Sequence, residues 1–170
     1  MTTKLEPRIE AQTPCGLNHL VLNVRDIEES HRFWTELLGF RQTGASHRLA
    51  SDGKPPARFY SGERDGKLHH HDIALVEASV PAAGSSAQPQ ALNHVAIEYP
   101  DKETWEKQID FLIARGVALH RRVERGVTHS IHLTDPNGNE IELVCELPRA
   151  LWENDIDAGL NRYVEQPISE

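Results

Sequence analysis

Apolar and polar residues alternate in two octapeptides, LNHLVLNV at residues 17–24 and LNHVAIEY at residues 92–99. This period-two alternation predicts two β-strands, each with one apolar face. A histidine, His19 in the first strand and His94 in the second, lies on the opposite face. Both octapeptides begin with Leu-Asn-His, so the alternation also indicates an internal repeat.

A helix is predicted after each of these strands. Asp26 and Asp101 each stand seven residues after the histidine, where an aspartate side chain can cap a helix. Gly39 and Gly116 follow as C-terminal stop signals. Apolar residues recur between these signals at helical spacing and are predicted to face the core: Ile27, Trp34, Leu37 and Leu38 in the first helix, and Trp105, Ile109, Leu112 and Ile113 in the second.

Short strand patterns return after each helix. In the second half they cover residues 117–120, 128–134 and 140–146, the last after an Asp-Pro-Asn-Gly-Asn turn. In the first half they cover 40–43, 58–61 and 71–77 in the same order, with a longer loop at 44–56. The fold prediction is therefore α+β, with two tandem βαβββ modules whose sheets form an open cup.

The predicted organisation has five segments. They are an N-terminal extension at 1–16, a first module at 17–78, a linker at 79–91, a second module at 92–147, and a tail at 148–170. The linker is rich in Ala, Ser, Gln, Pro and Gly, and the tail is predicted to contain a short helix around 151–160.

Composition narrows the class of protein. The 170 residues hold 18 Lys and Arg against 26 Asp and Glu, a net charge of −8 without a basic run, which excludes a nucleic-acid binder. Apolar runs are too short for a bilayer span, and residues 1–12 lack the apolar stretch of a secretory signal. Two isolated cysteines, Cys15 and Cys145, predict reduced thiols and a cytoplasmic location. Ten histidines suggest chemistry that needs imidazole.

Superposing the two modules predicts a metal site. His19 matches His94, and aligning Ile-Ala-Leu-Val at 73–76 with Ile-Glu-Leu-Val at 141–144 matches Ala74 with Glu142. If the sheets pair about a pseudo-twofold axis, two imidazoles and one carboxylate converge, which is a ligand set for non-haem Fe(II) with open positions. The alternative is that each histidine is an ordinary core or surface group and that Glu142 is exposed to solvent.

The chain resembles the vicinal oxygen chelate superfamily in its paired modules, its Leu-Asn-His first strands, its DPNGNEIEL turn and strand, and its helix ending in LLGF. The resemblance covers roughly residues 15–147. The superfamily includes glyoxalase I, fosfomycin-resistance proteins, methylmalonyl-CoA epimerase and extradiol dioxygenases. It implies that His19, His94 and Glu142 bind Fe(II), or alternatively Mn(II) or another divalent metal.

The choice of member depends on single positions. Ala74 argues against glyoxalase-like and epimerase-like sites, which carry a further carboxylate or amide there. Fosfomycin-resistance enzymes share the ligand set but have a threonine where this chain has Val21. The segment HHDIAL at 70–75 resembles the extradiol stretch that carries an acid–base histidine, and this places the role on His71. Simple strand alternation instead puts His70, not His71, on the same face as Ala74. We therefore expect His70 and Ala74 at the substrate site.

One departure from the extradiol pattern concerns the substrate. Extradiol dioxygenases usually have a tyrosine ten residues before the metal-binding glutamate, and this chain has His132 at that position. Many of them also have a second pocket histidine, whose position corresponds to Val123 here, with His120 close by. We expect His132 to hydrogen-bond the substrate oxygens.

The sequence thus predicts an Fe(II)-dependent extradiol dioxygenase that cleaves a small catechol-like diol with dioxygen, as a homodimer or larger homo-oligomer. Two alternatives stay open. A fosfomycin-resistance-like transferase or a glyoxalase-like lyase would be active without oxygen, and a metal-free small-molecule binding protein would contain no stoichiometric metal.

Overall fold

The computed structural model describes residues 16–46, 56–78 and 92–168, and the predicted linker and Cys15 lie outside these ranges. The predicted α+β class is confirmed, because two mixed sheets carry helices on one face. The elements of the first half are β1 (Leu20–Val24), α1 (Ile27–Arg32), β2 (Arg41–Ala45), β3 (Ala57–Ser61) and β6 (Ile73–Glu77). Its sheet has the strand order β1-β6-β3-β2, with β1 and β6 parallel.

The second sheet repeats this order as β7-β10-β9-β8 and adds β11 beyond β8. Strands β7 and β10 are parallel, as β1 and β6 are. The repeat seen in the sequence is therefore a repeat of topology. The elements are β7 (His94–Glu98), α2 (Lys102–Ala114), β8 (Leu119–Arg125), β9 (Thr128–Thr134), β10 (Glu140–Glu146) and β11 (Tyr163–Pro167).

Helix α1 begins where the sequence predicts. Asp26 accepts hydrogen bonds from the backbone N–H groups of Glu28 and Glu29 at 2.8 and 2.9 Å. The helix then widens into a π-helical turn over Phe33–Leu37, whereas apolar spacing predicts one regular α-helix. In this region the Thr35 hydroxyl donates to the His31 carbonyl at 2.7 Å, a side-chain bond that competes with the regular backbone ladder.

Helix α2 begins at Asp101, whose carboxylate accepts from the Thr104 N–H at 2.7 Å. Trp105 is fully buried, and its indole N–H donates to the Leu143 carbonyl at 2.9 Å. The prediction that Ile113 faces the core is wrong, because this side chain is 55% exposed. It lies about 80° around the helix from Trp105, at the edge of the apolar stripe.

The two sheets of one chain meet through their helices and loops. Gln108 donates to the Leu37 carbonyl at 2.6 Å, and Asn137 donates to the Ser30 hydroxyl at 3.0 Å. Buried apolar side chains of both halves form a common core. In the described residues β1 and β7 are both edge strands that are not paired with each other, so the sheets do not join at these edges within the chain.

Two features were not predicted. A hairpin, β4 (Glu63–Arg64) and β5 (Lys67–Leu68), follows β3 and turns through Asp65 and Gly66, whose φ angles of 52° and 69° suit an Asp-Gly hairpin turn. The tail forms a 3₁₀ turn at Arg149–Leu151, helix α3 (Ile156–Asn161) and strand β11. Helix α3 lies near the helix predicted around 151–160, whereas strand β11 was not predicted. No helix of the described ranges is long and apolar enough to cross a membrane.

Candidate metal and substrate site

The strand register relates the candidate residues of the two sheets. In the second sheet, Glu142 lies opposite the residue two positions after His94. In the first sheet, Ala74 lies opposite the residue two positions after His19. Ala74 therefore occupies the position in the first sheet that Glu142 occupies in the second.

His94 and Glu142 form a close donor pair. The Nε2 atom of His94 lies 3.0 Å from Oε2 of Glu142. The Nδ1 atom lies 2.7 Å from the side-chain oxygen of Asn93. Because an amide oxygen only accepts, this contact places a proton on Nδ1, and Nε2 is the ring atom that would face a metal ion.

The same arrangement recurs at His19, whose Nδ1 lies 2.7 Å from the side-chain oxygen of Asn18. Sequence reasoning treated Asn18 and Asn93 only as part of a repeated motif. Their presence before both histidines was the available signal, because an adjacent amide oxygen can select the imidazole tautomer. Both asparagines are thus positioning residues for the candidate ligands.

His132 lies beside the donor pair and is 3% exposed. Its Nε2 is 3.6 Å from Oε1 of Glu142, and its Nδ1 is 2.7 Å from Oε1 of Glu140 without the alignment of a hydrogen bond. Arg121 binds the same Glu140 oxygen at 2.5 Å. Burial lowers the pKa of His132 and Arg121 lowers it further, against the opposing carboxylates, so the imidazole is neutral at pH 7.

A cavity of about 190 Å³ surrounds these side chains. Beyond His94, His132 and Glu142, its lining residues come from the start of β7 and from β8 and β11: Asn93, Arg121, Val123, Arg125 and Tyr163. Sequence reasoning missed the last strand and ended β8 at residue 120, whereas β8 runs to Arg125. The sequence LHRRVER at 119–125 does not alternate apolar and polar residues, so periodicity gave no signal for the longer strand.

The other candidate histidines cluster in the first sheet. The His19 ring lies 4.3 Å from the His71 ring and 6.5 Å from the His70 ring, centroid to centroid. His71 also lies 5.1 Å from Phe59 and is partly buried, whereas His70 is exposed. Because β6 begins only at Ile73, strand alternation does not extend back to either histidine.

Burial lowers the pKa of His71, and the neighbouring His19 and His70 lower it further. Its imidazole is therefore neutral at pH 7 and able to accept a proton. Ala74, two residues into β6, is 3% exposed and leaves only a methyl group at its position.

The chain brings the predicted ligands together only in part. His94 and Glu142 share the smaller cavity with His132, whereas His19 lines a different cavity of about 720 Å³ between the two sheets. Across the described ranges, no group of three or more His, Cys, Asp or Glu side chains is arranged to hold a metal ion. Within a single chain, the predicted metal ligands are thus divided between two cavities, with His94 and Glu142 in one and His19 in the other.

The His94–Glu142 pair fits a metal ion as two of its ligands. Two donors at right angles, each about 2.1 Å from an ion, stand about 3.0 Å apart. The observed separation is 3.0 Å. Imidazole with carboxylate is also a donor combination that suits Fe(II) and Mn(II).

Comparison with known proteins places the chain in a family. The sequence profile of the glyoxalase/bleomycin resistance protein/dioxygenase superfamily matches residues 16–143. The catechol-2,3-dioxygenase of Bacillus subtilis (strain 168) is 27% identical over 142 residues, which cover 82% of this chain and 44% of that protein. The iron-dependent extradiol dioxygenase of Rhodococcus jostii (strain RHA1) is 29% identical over 142 residues, covering 77% and 43%.

The chain thus spans less than half the length of either curated relative. Among solved structures, the fosfomycin resistance protein FosX of Listeria monocytogenes complexed with Mn(II) and sulfate is similar, with a TM-score of 0.53 and 19% identity over 78% of this chain and 93% of FosX. That likeness concerns the fold. The profile match over most of the chain confirms the resemblance drawn from the sequence: the protein belongs to the glyoxalase/bleomycin resistance protein/dioxygenase superfamily.

Proposed function

We propose that this protein is an Fe(II)-dependent extradiol dioxygenase that opens the ring of a small catechol-like diol and incorporates both atoms of dioxygen. The observation that carries the proposal is the His94–Glu142 donor pair in a cavity, with Ala74 in place of a second carboxylate. The names of two relatives at 27% and 29% identity favour the same chemistry.

Ala74 distinguishes this chemistry from that of a Lewis-acid isomerase. Two imidazoles and one carboxylate leave coordination positions open for both a chelating substrate and dioxygen. A carboxylate in place of Ala74 would occupy one of those positions. The methyl group at this position therefore favours a reaction in which two ligands bind together.

His19, His94 and Glu142 would hold the metal. Fe(II) bound there supplies one-electron chemistry that connects the diol with dioxygen. Asn18 and Asn93 would hold the two rings through Nδ1, so that Nε2 of each histidine would be the atom offered to the metal.

The remaining site residues handle protons and orient the substrate. His71, partly buried and neutral, accepts a proton from the diol and later returns one to oxygen. His132, fixed beside Glu142, hydrogen-bonds a diol oxygen. His70 is exposed, and its Nδ1 lies 2.8 Å from Nδ1 of His71.

The divided ligand set is completed by a second copy of the chain. Edge strands β1 and β7 both present exposed faces, with His19 directly before the first strand and His94 at the start of the second. A twofold dimer that brings β1 of one copy beside β7 of the other would place His19 near the partner's His94 and Glu142, twice per dimer. The homodimer is therefore part of the proposal.

A metal-dependent transferase or lyase is the second candidate. It is favoured by the fold likeness to FosX, a protein solved with Mn(II). Such an enzyme would use the same His, His, Glu ligands and would be active without oxygen. A metal-free binding protein would make no use of the tautomer control at His19 and His94.

The function is tested by loading the protein with Fe(II) or Mn(II) under nitrogen and then adding a panel of catechols in air. We expect oxygen uptake and a coloured ring-opened product with Fe(II), together with one metal ion per chain by elemental analysis. His94→Ala and Glu142→Ala should each lose most of the bound metal. Ala74→Glu should retain metal but suppress oxygen uptake, because the new carboxylate occupies a substrate position.

Either of two results would overturn the proposal. One is full oxygen uptake by the Ala74→Glu protein, which would remove Ala74 from the site. The other is absence of oxygen uptake with every catechol and both metals, accompanied by transferase or lyase turnover under nitrogen.

A further inference from the structure

Arg125 stands out among the arginines of β8 because its charge is not matched by a carboxylate. Arg121 pairs with Glu140 at 2.5 Å, and Arg122 pairs with Glu124 at 3.4 Å. Within the described part of the chain, no carboxylate oxygen lies within 4.0 Å of the Arg125 guanidinium. Arg125 nevertheless lines the cavity of the candidate site.

The C-terminal segment holds this guanidinium in place. The Tyr163 ring of β11 lies 4.8 Å from Cζ of Arg125, which is a cation–π contact. Nη1 of Arg125 donates to the Leu160 carbonyl at 3.1 Å. A guanidinium has five N–H donors, so most of them remain available to a ligand.

The segment itself is docked closely on the second sheet. Gly126, directly after Arg125, donates its N–H to the Gly159 carbonyl at 3.0 Å. A Cβ atom at Gly126 would lie 2.7 Å from that carbonyl oxygen, so the contact requires glycine. Strand β11 also pairs with β8, with Tyr163 opposite Arg125. The contacts to Tyr163 and Leu160 thus place the exposed guanidinium of Arg125 beside the cavity before any ligand arrives, which reduces the entropy lost on binding.

We propose that Arg125, held by Tyr163 and Leu160, binds a carboxylate on the substrate, so that the site takes an aromatic diol bearing an acidic group. The planar guanidinium can bind both oxygens of a carboxylate at once. A single unmatched cation in a cavity of about 190 Å³ suits a monoanionic side group on one ring. The diol part of this inference rests on the proposed function, whereas the carboxylate part rests on Arg125 alone.

Binding is measured first by isothermal titration calorimetry under nitrogen, on the protein as purified. The probes are 2,3-dihydroxybenzoate, 3,4-dihydroxybenzoate and catechol. We expect at least one dihydroxybenzoate to bind about 10- to 100-fold more tightly than catechol, because a charge-assisted bond is lost in catechol. Raising the ionic strength should reduce this preference.

Variants of β8 and β11 then assign the preference. Arg125→Gln should abolish it and leave the affinity for catechol unchanged, and Arg125→Lys should restore part of it. Arg122→Gln is the matched control, because Arg122 lies on the opposite face over Trp105.

Variants of Tyr163 test the cation–π contact. Tyr163→Phe should preserve the preference for the dihydroxybenzoate, whereas Tyr163→Leu should weaken it by loss of the cation–π contact. In turnover, Arg125→Gln should raise KM for the dihydroxybenzoate and leave kcat within about threefold.

The inference is overturned if Arg125→Gln weakens the binding of catechol and of the dihydroxybenzoates equally. It is also overturned if the substitution lowers only the melting temperature, as the loss of an arginine that merely caps α3 would. If the Arg125-dependent preference is present but no diol drives oxygen uptake, the carboxylate site stands and the dioxygenase proposal fails. If oxygen uptake occurs with catechol and dihydroxybenzoates at equal KM, the dioxygenase proposal stands and the carboxylate site fails.

Discussion

His71 shows how one side chain gains a role from its surroundings. Its ring lies against His19 and Phe59, and burial with two neighbouring imidazoles lowers its pKa below the ordinary value of 6.5. A neutral imidazole next to a candidate metal ligand can accept a proton at pH 7. His70, one residue earlier, is exposed.

Matched substitutions distinguish the catalytic role of His71 from that of His70. His71→Phe should lower kcat about 10²- to 10⁴-fold and leave the metal content unchanged, because the acid–base group is lost while the ligands remain. His70→Phe should stay within about tenfold of the wild type. The measurements are oxygen-uptake kinetics and elemental analysis of each purified variant.

The pH profile adds a second readout. Since the base must be unprotonated, wild-type activity should rise with pH through a limb below 6.5, and this limb should vanish in His71→Phe. The opposite ranking, with His70 essential and His71 dispensable, would contradict the role given to His71.

At the scale of elements, the start of β6 determines where His71 lies. Asp72 accepts hydrogen bonds from the Gly62 N–H at 2.9 Å and the Ser61 hydroxyl at 3.1 Å, and pairs with Arg64 at 2.7 Å. Burial acts to raise the Asp72 pKa, but Arg64 and the two hydrogen bonds together hold it below the ordinary value of 3.8. The carboxylate thus ties β6 to the end of β3 and to the β4–β5 hairpin.

Asp72→Asn should lower the free energy of unfolding at pH 7 by about 2 kcal/mol, because bonds to a charged acceptor are replaced by weaker ones. A carboxylate with a lowered folded-state pKa stabilises the protein above its unfolded pKa, and this stability is lost as pH falls through the folded value. The difference between wild type and variant should therefore shrink below about pH 4. Urea unfolding of both proteins at pH 7 and pH 3 measures this difference in the free energy of unfolding.

Asp65→Asn is the control, since Asp65 lies exposed at the hairpin turn and asparagine tolerates the same positive φ. It should change stability by less than about 0.5 kcal/mol at either pH. An Asp72→Asn protein that loses the same amount at pH 3 as at pH 7 would show that the ionised carboxylate is not the stabilising group.

At the scale of the whole molecule, the arrangement of the two sheets separates His19 from His94 and Glu142. One face of each edge strand packs into the common core, through Leu22 and Val24 in β1 and through Val95 and Ile97 in β7, whereas the backbone edges of these two strands are not paired with each other within the described ranges. The proposed function completes the ligand set with a second molecule, and this dimer can be tested without a structure of the complex.

Mixing two inactive variants provides that test. If each site takes His19 from one chain and Glu142 from the other, a hybrid dimer of His19→Ala with Glu142→Ala contains one intact site and one doubly altered site. Half of randomly reassorted dimers are hybrids, so the mixture should recover about a quarter of wild-type metal binding and oxygen uptake. Each variant alone should recover neither.

Two variants altered on the same side, His94→Ala and Glu142→Ala, serve as the control, because no exchange between them restores a site. Recovery in neither mixture, with chain exchange verified by mass spectrometry of differently tagged chains, would show that the ligands do not come from different copies.

Features that depend on local periodicity can be predicted from the amino-acid sequence alone. Alternation and the repeated Leu-Asn-His located β1 and β7, the aspartates located both helix starts, and the parallel register made Ala74 equivalent to Glu142. Such features follow from side-chain spacing along one strand or helix, which the linear order states directly. The nearness of His94 to Glu142 was instead predicted by superposing the two modules and by the family resemblance, not by spacing within one element.

Tertiary structure decided which distant segments meet. It placed β11 beside β8, and thereby put Tyr163 and Arg125 at the cavity wall; it also placed His19 in a different cavity from Glu142. It widened the end of the first helix into a π turn and set His71 beside His19 before β6 becomes regular. These outcomes depend on how edges and faces bury one another across long separations, and periodicity along the chain carries no information about which edges meet.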